Sequence, residues 1–258
     1  MLRKIKRQHC WKKRPMFKLF KSKINHFLEL KNLEKKFKEK STQLSDNGRF
    51  ICNWEDRYLC ISEDTKTTEY DAHYVYHTAW AARILKKTKP EKHVDIASDL
   101  RFVTIVSAFV PVEFIDYRPV NINLSNFESK KGNITDLPFE NNSFSSISCM
   151  HVIEHIGLER YGDSFDPKGD LKGISELKRV LKDGGQLLFV VPVGGIARIE
   201  YNAHRIYTYE MVCKIFNDMY IENFALVKDN GEFIENANQK QSDSQKYGCG
   251  CWQLRKKK

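Results

Sequence analysis

Acidic and imidazole side chains follow the ends of three predicted strands in this sequence of 258 residues. Asp116 ends one strand, Asp136 follows the next, and His151 follows a third. In an open parallel sheet, ligands bind just outside the carboxyl ends of the strands. A carboxylate there can accept the two hydroxyl hydrogens of an adenosine ribose, and another can accept a hydrogen bond from an exocyclic amine. Asp116 and Asp136 are therefore candidate contacts of a nucleoside ligand, although each also suits an ordinary turn at the end of a strand.

Two further patterns in the sequence have the spacing of metal ligands. His151-Val-Ile-Glu-His155 matches the H-x-x-E-H pattern of inverted zinc proteases, but the sequence offers no evident third ligand. Cys249 and Cys251 fall on one face of a predicted strand without accompanying ligands. We therefore predict no metal site and a structural role for both cysteines. Glu154 and His155 are expected in the first turn of a helix that lines the cleft.

Strands and helices alternate in the predicted structure and position these side chains. Strands joined by right-handed helical crossovers imply an α/β, Rossmann-like fold with a mostly parallel central sheet and helices on both faces. The predicted strands are His93–Ala97, Val112–Asp116, Lys131–Ile134, Phe144–Met150, Gln186–Val191, Ile221–Val227 and Tyr247–Leu254. The predicted helices are Asp71–Lys89, a helix capped by Ser98 or Asp99 and ending near Ala108, one after Met150, Asp170–Leu181 and Thr208–Met219.

The chain resembles the class I S-adenosylmethionine-dependent methyltransferases over about residues 93–229. The resemblance is carried by three segments in order: Gly132-Asn-Ile-Thr-Asp-Leu-Pro-Phe, Asn142 to His155, and Leu177-Lys-Arg-Val-Leu-Lys-Asp-Gly-Gly-Gln-Leu. More narrowly, the chain resembles a bacterial methyltransferase-like group called domain of unknown function 268. The runs that carry this likeness are His93-Val-Asp-Ile-Ala-Ser, Asp116-Tyr-Arg-Pro, His151 to Asp163, and Asn202-Ala-His-Arg.

The resemblance implies S-adenosylmethionine as the cofactor and assigns its contacts by position. It places Asp116 at the ribose, Asp136 and Leu137 at the adenine, and Met150 and His151 beside the sulfonium. The full set of implied cofactor-binding residues is Asp95, Ala97, Ser98, Asp116, Tyr117, Asp136, Leu137, Met150 and His151.

The loop after the first strand departs from the superfamily pattern. Those enzymes have a glycine-rich loop there, whereas this chain has Asp95-Ile-Ala-Ser-Asp-Leu-Arg. Ala97 and Asp99 add side chains where the backbone normally approaches the ligand, and the Asp99 carboxylate could repel the carboxylate of the cofactor. Either Ser98 and the N–H groups at the helix start hold the methionine part, or the domain is a non-catalytic scaffold.

Methyl transfer to a hydroxyl group also requires a base that removes its proton. General bases contribute about 100- to 10,000-fold, and the candidates here are His204 and His155. Arg160, Tyr161, Asp163 and Arg205 are the predicted acceptor contacts. We expect a small-molecule acceptor, such as a sugar or sugar nucleotide of surface polysaccharide synthesis. A nicotinamide-dependent oxidoreductase is excluded, because the sequence lacks G-x-G-x-x-G after the first strand.

The positive charge of the chain is concentrated at its start. The net charge is +10, but residues 1–40 contain 15 of the 43 Lys and Arg and only 3 of the 33 acidic residues, so the remainder is nearly neutral. This distribution argues against a nucleic-acid partner for the body of the protein. Apolar residues from Phe17 to Phe37 recur at helical spacing. Residues 16–40 are therefore predicted to form a basic amphipathic helix that lies on a membrane surface or packs against protein.

Three segments and an intracellular location complete the sequence-based predictions. The segments are a basic one at 1–40, a linker with an aromatic stretch at 41–70, and a methyltransferase-like domain at 71–258. Seven cysteines without a paired framework indicate reduced thiols, as in the cytoplasm. The sequence shows no long apolar span and no pattern of a cleaved leader. It leaves the oligomeric state open.

Overall fold

The computed structural model describes residues 16–44, 50–60 and 65–258, with the side chains of the first helix described from Phe27 onward. These residues form two compact units that meet in sequence between Glu69 and Tyr70. Residues 1–15 of the predicted basic segment, and residues 45–49 and 61–64 of the predicted linker with its aromatic stretch, lie outside the described range.

The smaller unit contains the predicted basic helix. Helix α1 spans Met16–Leu44, so the helix is confirmed and extends beyond the predicted stripe. A short 3-10 turn follows at Trp54–Asp56, and the Trp54 ring lies 5.3 Å from the Phe37 ring. The aromatic segment thus packs back against α1. Among the described helices, none is long and apolar enough to cross a membrane. Contact of α1 with a membrane surface stays a prediction.

The larger unit is a sheet of eight strands in the order β3-β2-β1-β4-β5-β10-β8-β9. Strands β1 to β5 are parallel to one another, and β10 runs antiparallel between β5 and β8. The strands are β1 His93–Ile96, β2 Val112–Asp116, β3 Phe127–Lys131, β4 Phe144–Met150, β5 Leu181–Val193, β8 Met219–Val227, β9 Phe233–Ile234 and β10 Gly248–Lys256, with a separate hairpin of β6 Arg198–Glu200 and β7 His204–Ile206. The helices are α2 Ala72–Thr88, α3 Leu100–Val106, α4 Gly169–Val180, α5 Tyr209–Ile215 and α6 Gln239–Asp243.

Helices cover both faces of this sheet, as the sequence predicts for a Rossmann-like α/β fold. One buried cluster joins α2 and α3 to the sheet, with Trp80, Leu85 and Phe102 among its members. The other joins α4 and α5 to the opposite face, through residues such as Leu177 and Phe216. The chain order reverses between β1 and β4, so the carboxyl ends of these two strands flank the crevice where such sheets bind ligands.

Two predicted elements are wrong, for different physical reasons. The third strand is Phe127–Lys131 and not Lys131–Ile134. It is an edge strand rich in charged residues, whereas the buried Ile134 belongs to a tight turn closed by a bridge between Asn133 and Asp136. The second error is the helix expected after β4, which is a single 3-10 turn at Ile153–His155. His151 has φ of 56° and Gly157 has φ of 78°, and such left-handed residues interrupt a helix.

A buried chain of hydrogen bonds crosses the sheet beneath the crevice. His93 is fully buried, and its two ring nitrogens lie 2.8 Å from Ser146 Oγ and 2.8 Å from Ser148 Oγ. Ser148 donates in turn to the buried carboxylate of Asp95, and Gln186 donates to Ser146 Oγ at 2.9 Å. The side chains of His93, Ser146, Ser148 and Asp95 therefore have partners in one another, which lets them remain inside the core. The chain ties β1, β4 and β5 together in one register.

The carboxyl group of Asp95 makes this network sensitive to pH. Burial raises the pKa of Asp95 to about 6, although Ser148 and Ser98 donate hydrogen bonds to it. Because the folded protein holds this proton more tightly than the unfolded chain does, stability falls as the pH rises from about 4 through about 6. We expect the wild type to lose about 2 to 3 kcal/mol more unfolding free energy than Asp95→Asn over this range.

Urea unfolding followed by fluorescence at a series of pH values measures this difference. The comparison is between pH slopes and not absolute stabilities, since an Asn side chain cannot reproduce every contact of the carboxylate. Glu140→Gln, at an exposed position, serves as the matched control and should keep the slope of the wild type. Parallel slopes for the wild type and Asp95→Asn would contradict the assignment.

Candidate functional site

The loop after β1 keeps an unusual backbone path without glycine. Ala97 has φ of 54°, a left-handed conformation that alanine seldom adopts. The backbone N–H of Ser98 donates to Asp95 Oδ1 at 2.9 Å, and Ser98 Oγ accepts from the N–H of Met150 at 3.1 Å. The loops that follow β1 and β4 are thereby joined at the base of the crevice.

Asp99 occupies the start of α3. Its carboxylate accepts the N–H groups of Arg101 at 2.8 Å and Phe102 at 3.3 Å, and it pairs with the Arg101 guanidinium at 2.9 Å. Burial alone would raise the pKa of Asp99, but the hydrogen bonds and charge of Arg101 outweigh it and lower the pKa. These two N–H groups are therefore not free, which corrects the expectation that the helix start offers them to the cofactor.

Asp116 lies at the end of β2, at the same edge of the sheet. Its Oδ1 accepts the N–H of Arg118 at 2.7 Å, and Oδ2 has no hydrogen bond to the described residues. Tyr117 is exposed beside it, with the Lys131 ammonium 5.8 Å from its ring centre. The arrangement leaves one carboxylate oxygen available to a ligand hydroxyl.

Asp136 and Leu137 follow β3, but they differ in accessibility. Asp136 is exposed, whereas Leu137 is only 3% exposed and packs in the core. The N–H of Leu137 donates to Glu176 at 2.8 Å. The side chain of Leu137 therefore does not lie open to an adenine ring, which corrects its predicted role, while Asp136 stays accessible.

Beyond β4, the chain enters a cluster of imidazole and phenol rings around Glu154. Met150 is buried beneath the cluster, and His151 begins it. Consecutive rings in this cluster contact one another with centroids 5.0 to 6.0 Å apart, in the order His151, His73, Tyr247, His204 and His155. The carboxyl group of Glu154 lies between the first and the last of these rings.

Glu154 is almost fully buried at the centre of this cluster. Its Oε1 lies 2.8 Å from His151 Nδ1 and 3.8 Å from His155 Nε2, and its Oε2 has no hydrogen-bond partner among the described residues. Burial raises the pKa of Glu154 to about 7 and lowers the pKa of His151 to about 4. Desolvation penalises the charged form in both cases, so the imidazole of His151 is neutral at pH 7.

The two predicted catalytic histidines both belong to this cluster. Nδ1 of His155 lies 2.7 Å from the carbonyl oxygen of Ala203, a contact that assigns the proton to Nδ1. His204 Nε2 is buried without a hydrogen bond in the described part of the chain, 3.5 Å from a Glu200 carboxylate oxygen. Burial lowers the pKa of both rings, so both are neutral at pH 7 and able to accept a proton.

The predicted acceptor contacts are mostly engaged inside the protein. Arg205 is buried and donates to the carbonyl oxygens of Ile156 at 2.7 Å and Pro167 at 3.2 Å. Arg160 donates to the Ala203 carbonyl oxygen at 2.8 Å, and Asp163 accepts the N–H of Gly157 at 2.6 Å. Arg205 therefore braces the loop and does not face an acceptor, which corrects its predicted role. Tyr161, half exposed and 5.4 Å from the His155 ring, remains accessible.

Sequence reasoning missed the contribution of α2 and β10 to this cluster. His73 and His77 lie four residues apart on α2, a spacing that places them on one face of a helix. Both rings contact His151, with centroids 5.7 and 5.0 Å away. The repeat of histidine at this spacing is the signal that could have found them. Tyr247 carried no comparable signal, because its position depends on the tertiary fold.

The fold is shared with solved methyltransferase structures. The 1,6-didemethyltoxoflavin-N1-methyltransferase of Burkholderia thailandensis, crystallised with 1,6-didemethyltoxoflavin and S-adenosylhomocysteine, has a TM-score of 0.52 at 12% identity, with 88% of each chain covered. The N-methyltransferase NodS of Bradyrhizobium japonicum, crystallised with S-adenosylhomocysteine, has a TM-score of 0.52 at 14% identity, covering 74% of this chain and 90% of that one. The architecture is therefore that of the class I methyltransferase fold.

The family model described as a Caenorhabditis protein of unknown function, DUF268, matches residues 95–256. The chain belongs to this family. The description does not confirm the bacterial group that the sequence motifs resemble. An uncharacterized protein of Methanocaldococcus jannaschii is 32% identical over 80 residues, which cover 29% of this chain and 30% of that protein.

Ala97 provides a test of the loop geometry. Left-handed φ costs a non-glycine residue about 1 to 2 kcal/mol, so Ala97→Gly should raise the unfolding free energy by about 1 kcal/mol. The matched control is Ala79→Gly inside α2, where glycine should lower it by about 1 kcal/mol. Chemical unfolding of the three proteins gives both values. Destabilisation by Ala97→Gly would show that the loop does not adopt this conformation.

Proposed function

We propose that this protein transfers a methyl group from S-adenosylmethionine to a small-molecule acceptor. The observation that carries the proposal is the free Oδ2 of Asp116 at the end of β2, beside the crevice between β1 and β4. A carboxylate in this position suits the ribose hydroxyls of an adenosine cofactor. The methyltransferases of the same fold that were crystallised with S-adenosylhomocysteine support this choice of cofactor.

The residues of the crevice fit an adenosine cofactor of this kind. Asp116 would hold the ribose, and the exposed Asp136 would meet the adenine amine. Ala97 keeps a left-handed backbone in the loop after β1, the conformation that glycine adopts readily, despite the change of residue. His151 would close the sulfonium end, whereas Met150 is 1% exposed and packs in the core, which corrects its predicted role as Leu137 is corrected. The bound cofactor would supply an electrophilic methyl group.

The histidine cluster supports a hydroxyl acceptor. His204 and His155 have lowered pKa values, which leave their rings uncharged at pH 7. We assign His204 as the base that takes the hydroxyl proton at Nε2, with His155 as the second candidate. Tyr161, at the mouth of the cluster, would contact the acceptor.

A sugar or sugar nucleotide is the acceptor class that we propose, as an intermediate of surface polysaccharide synthesis. A cleft of about 520 Å³ lies beside the cluster, and its lining includes His73, Tyr247, Lys228 and Lys246. The Lys246 ammonium would complement a phosphate group. Asp229 also lines this cleft, but its carboxylate accepts the backbone N–H groups of Lys246 and Tyr247, both at 2.8 Å.

Calorimetric titration tests cofactor binding first. We expect micromolar binding of S-adenosylmethionine and S-adenosylhomocysteine by the wild type, weakened at least about 30-fold in Asp116→Ala, because a ribose would lose two hydrogen bonds to a charged group. The matched control is Asp218→Ala. Asp218 is an exposed acidic residue that pairs with Lys178, and this variant should bind the cofactor as the wild type does. No heat with either ligand would instead favour the non-catalytic scaffold, which the loss of the glycine loop makes the second candidate.

Turnover with a panel of nucleoside-diphosphate sugars tests the acceptor class. Formation of S-adenosylhomocysteine is the measured quantity. We expect His204→Asn to lower kcat by about 100-fold or more while the cofactor Kd stays unchanged. Tyr201→Phe, at a fully exposed position in the neighbouring hairpin, should retain the wild-type kcat. Equal rates for His204→Asn and wild type would remove His204 from the mechanism.

A further inference from the structure

Two histidines of the cluster around Glu154 and one cysteine bring metal-binding atoms together from separate elements. His73 comes from α2, His151 follows β4, and Cys249 lies near the start of β10. One ligand atom from each residue lies within 4.8 Å of the other two. The sequence predicted no metal because H-x-x-E-H lacked a third ligand nearby. The fold supplies two further ligands from distant parts of the chain, and it uses His151 without His155.

His151 has the surroundings of a metal-binding histidine. Its Nδ1 lies 2.8 Å from Glu154 Oε1, and its Nε2 is buried with no hydrogen-bond partner among the described residues. The side chain is only 5% exposed. Histidine ligands usually have one ring nitrogen on a carboxylate and the other on the metal. A bare, buried Nε2 beside a carboxylate-bound Nδ1 therefore points to a missing partner at Nε2.

The strained backbone at His151 supports the same conclusion. Its φ of 56° places a bulky residue in the left-handed region. Such strain persists where surrounding contacts impose it, and it is concentrated at ligand sites. The turn directs the ring of His151 toward α2, where it stacks on the ring of His73 with centroids 5.7 Å apart.

The chemistry of the three atoms selects the type of metal. Two imidazole nitrogens and one cysteine sulfur are borderline to soft donors, which suit Zn²⁺ rather than Mg²⁺ or Ca²⁺. Cys249 is completely buried, with its sulfur 3.8 Å from that of Cys251.

We propose that His73, His151 and Cys249 bind one Zn²⁺ ion. The thiol of Cys249 loses its proton to solvent as the Zn–S bond forms. Zinc bonds of about 2.0 to 2.3 Å require tetrahedral ligand atoms to lie about 3.5 Å apart, so rotation of these side chains must bring them closer by about 1 Å. Three protein ligands leave one open position. The cleft of about 520 Å³ includes His73 in its wall, which gives the ion a path from solvent.

Cobalt substitution tests the site directly, without cofactor or acceptor present. The full-length protein is stripped with a chelator and titrated with Co²⁺. We expect one equivalent to bind, with the visible ligand-field bands of tetrahedral cobalt and a near-ultraviolet charge-transfer band from the cysteine sulfur. Addition of Zn²⁺ should abolish both, and zinc should raise the Tm of the stripped protein. Absence of these bands in the wild type would overturn the proposal.

Variants identify the ligands. We expect Cys249→Ser to lose the charge-transfer band and to bind Co²⁺ at least about 100-fold more weakly, because coordination is lost directly. Cys213→Ser, at a half-buried cysteine in α5, is the matched control and should retain the band. Circular dichroism checks that each variant is folded. His73→Ala is the second variant, and it should weaken binding similarly while the control does not. Persistence of the band in Cys249→Ser would overturn the assignment.

Discussion

The burial of the Glu154 carboxyl group is the constraint on which the candidate site depends. The ion-pair partners of this group within the described residues are both imidazoles, His151 and His155. Burial penalises the charged form of every one of these groups. It therefore raises the pKa of the Glu154 carboxyl group and lowers the pKa of the His151 imidazole. The result is a region that is polar but carries little charge. Such a region can surround a substrate hydroxyl without fixing a strong salt bridge of its own.

The same constraint explains why four elements converge at this point. The two imidazoles that pair with Glu154 come from the segment after β4 itself, so the other elements contribute its enclosure and not its polar partners. Rings from α2, from β7 and from the residue preceding β10 complete the enclosure around Glu154. Arg205 and Asp163 hold the following loop by binding its backbone. Residues that looked like substrate contacts in the sequence thus make the enclosure possible.

The first loop shows how a backbone path can persist after its glycines are lost. The hydroxyl oxygen of Ser98 accepts a hydrogen bond from the N–H of Met150 at the end of β4. The carboxylate of Asp95 accepts the N–H of Ser98 and so fixes the turn. Asp99 takes up the N–H groups that the helix start would otherwise leave open. The carboxylate of Asp99 is itself balanced by Arg101. The start of α3 is therefore internally satisfied, whereas Oδ2 of Asp116 has no hydrogen bond to the described residues.

The sequence predicted the parallel strands well and the rest of the site only in part. Buried strands such as β2 and β4 have apolar runs that mark their bounds, and these bounds are confirmed. The edge strand β3 has alternating polar residues, so its pattern could not be separated from that of a loop. The prediction of a helix after β4 was wrong because hydrophobic periodicity does not reveal that His151 has a left-handed backbone conformation. Asp116 was found because it ends a buried strand. Its free oxygen could be seen only in the structure.

The antiparallel strand β10 explains why the positions of Tyr247 and Cys249 at this site were out of reach of that reasoning. Ligands in parallel sheets lie at the carboxyl ends of strands, so a search of the sequence examines the residues that follow each apolar run. A strand that runs in the opposite direction brings its beginning to that same edge. Cys249 pairs with Pro192 near the end of β5 and with Val227 at the end of β8. Tyr247 and Cys249 therefore reach the site because β10 is reversed, and the direction of a strand is set by the fold and not by its own residues.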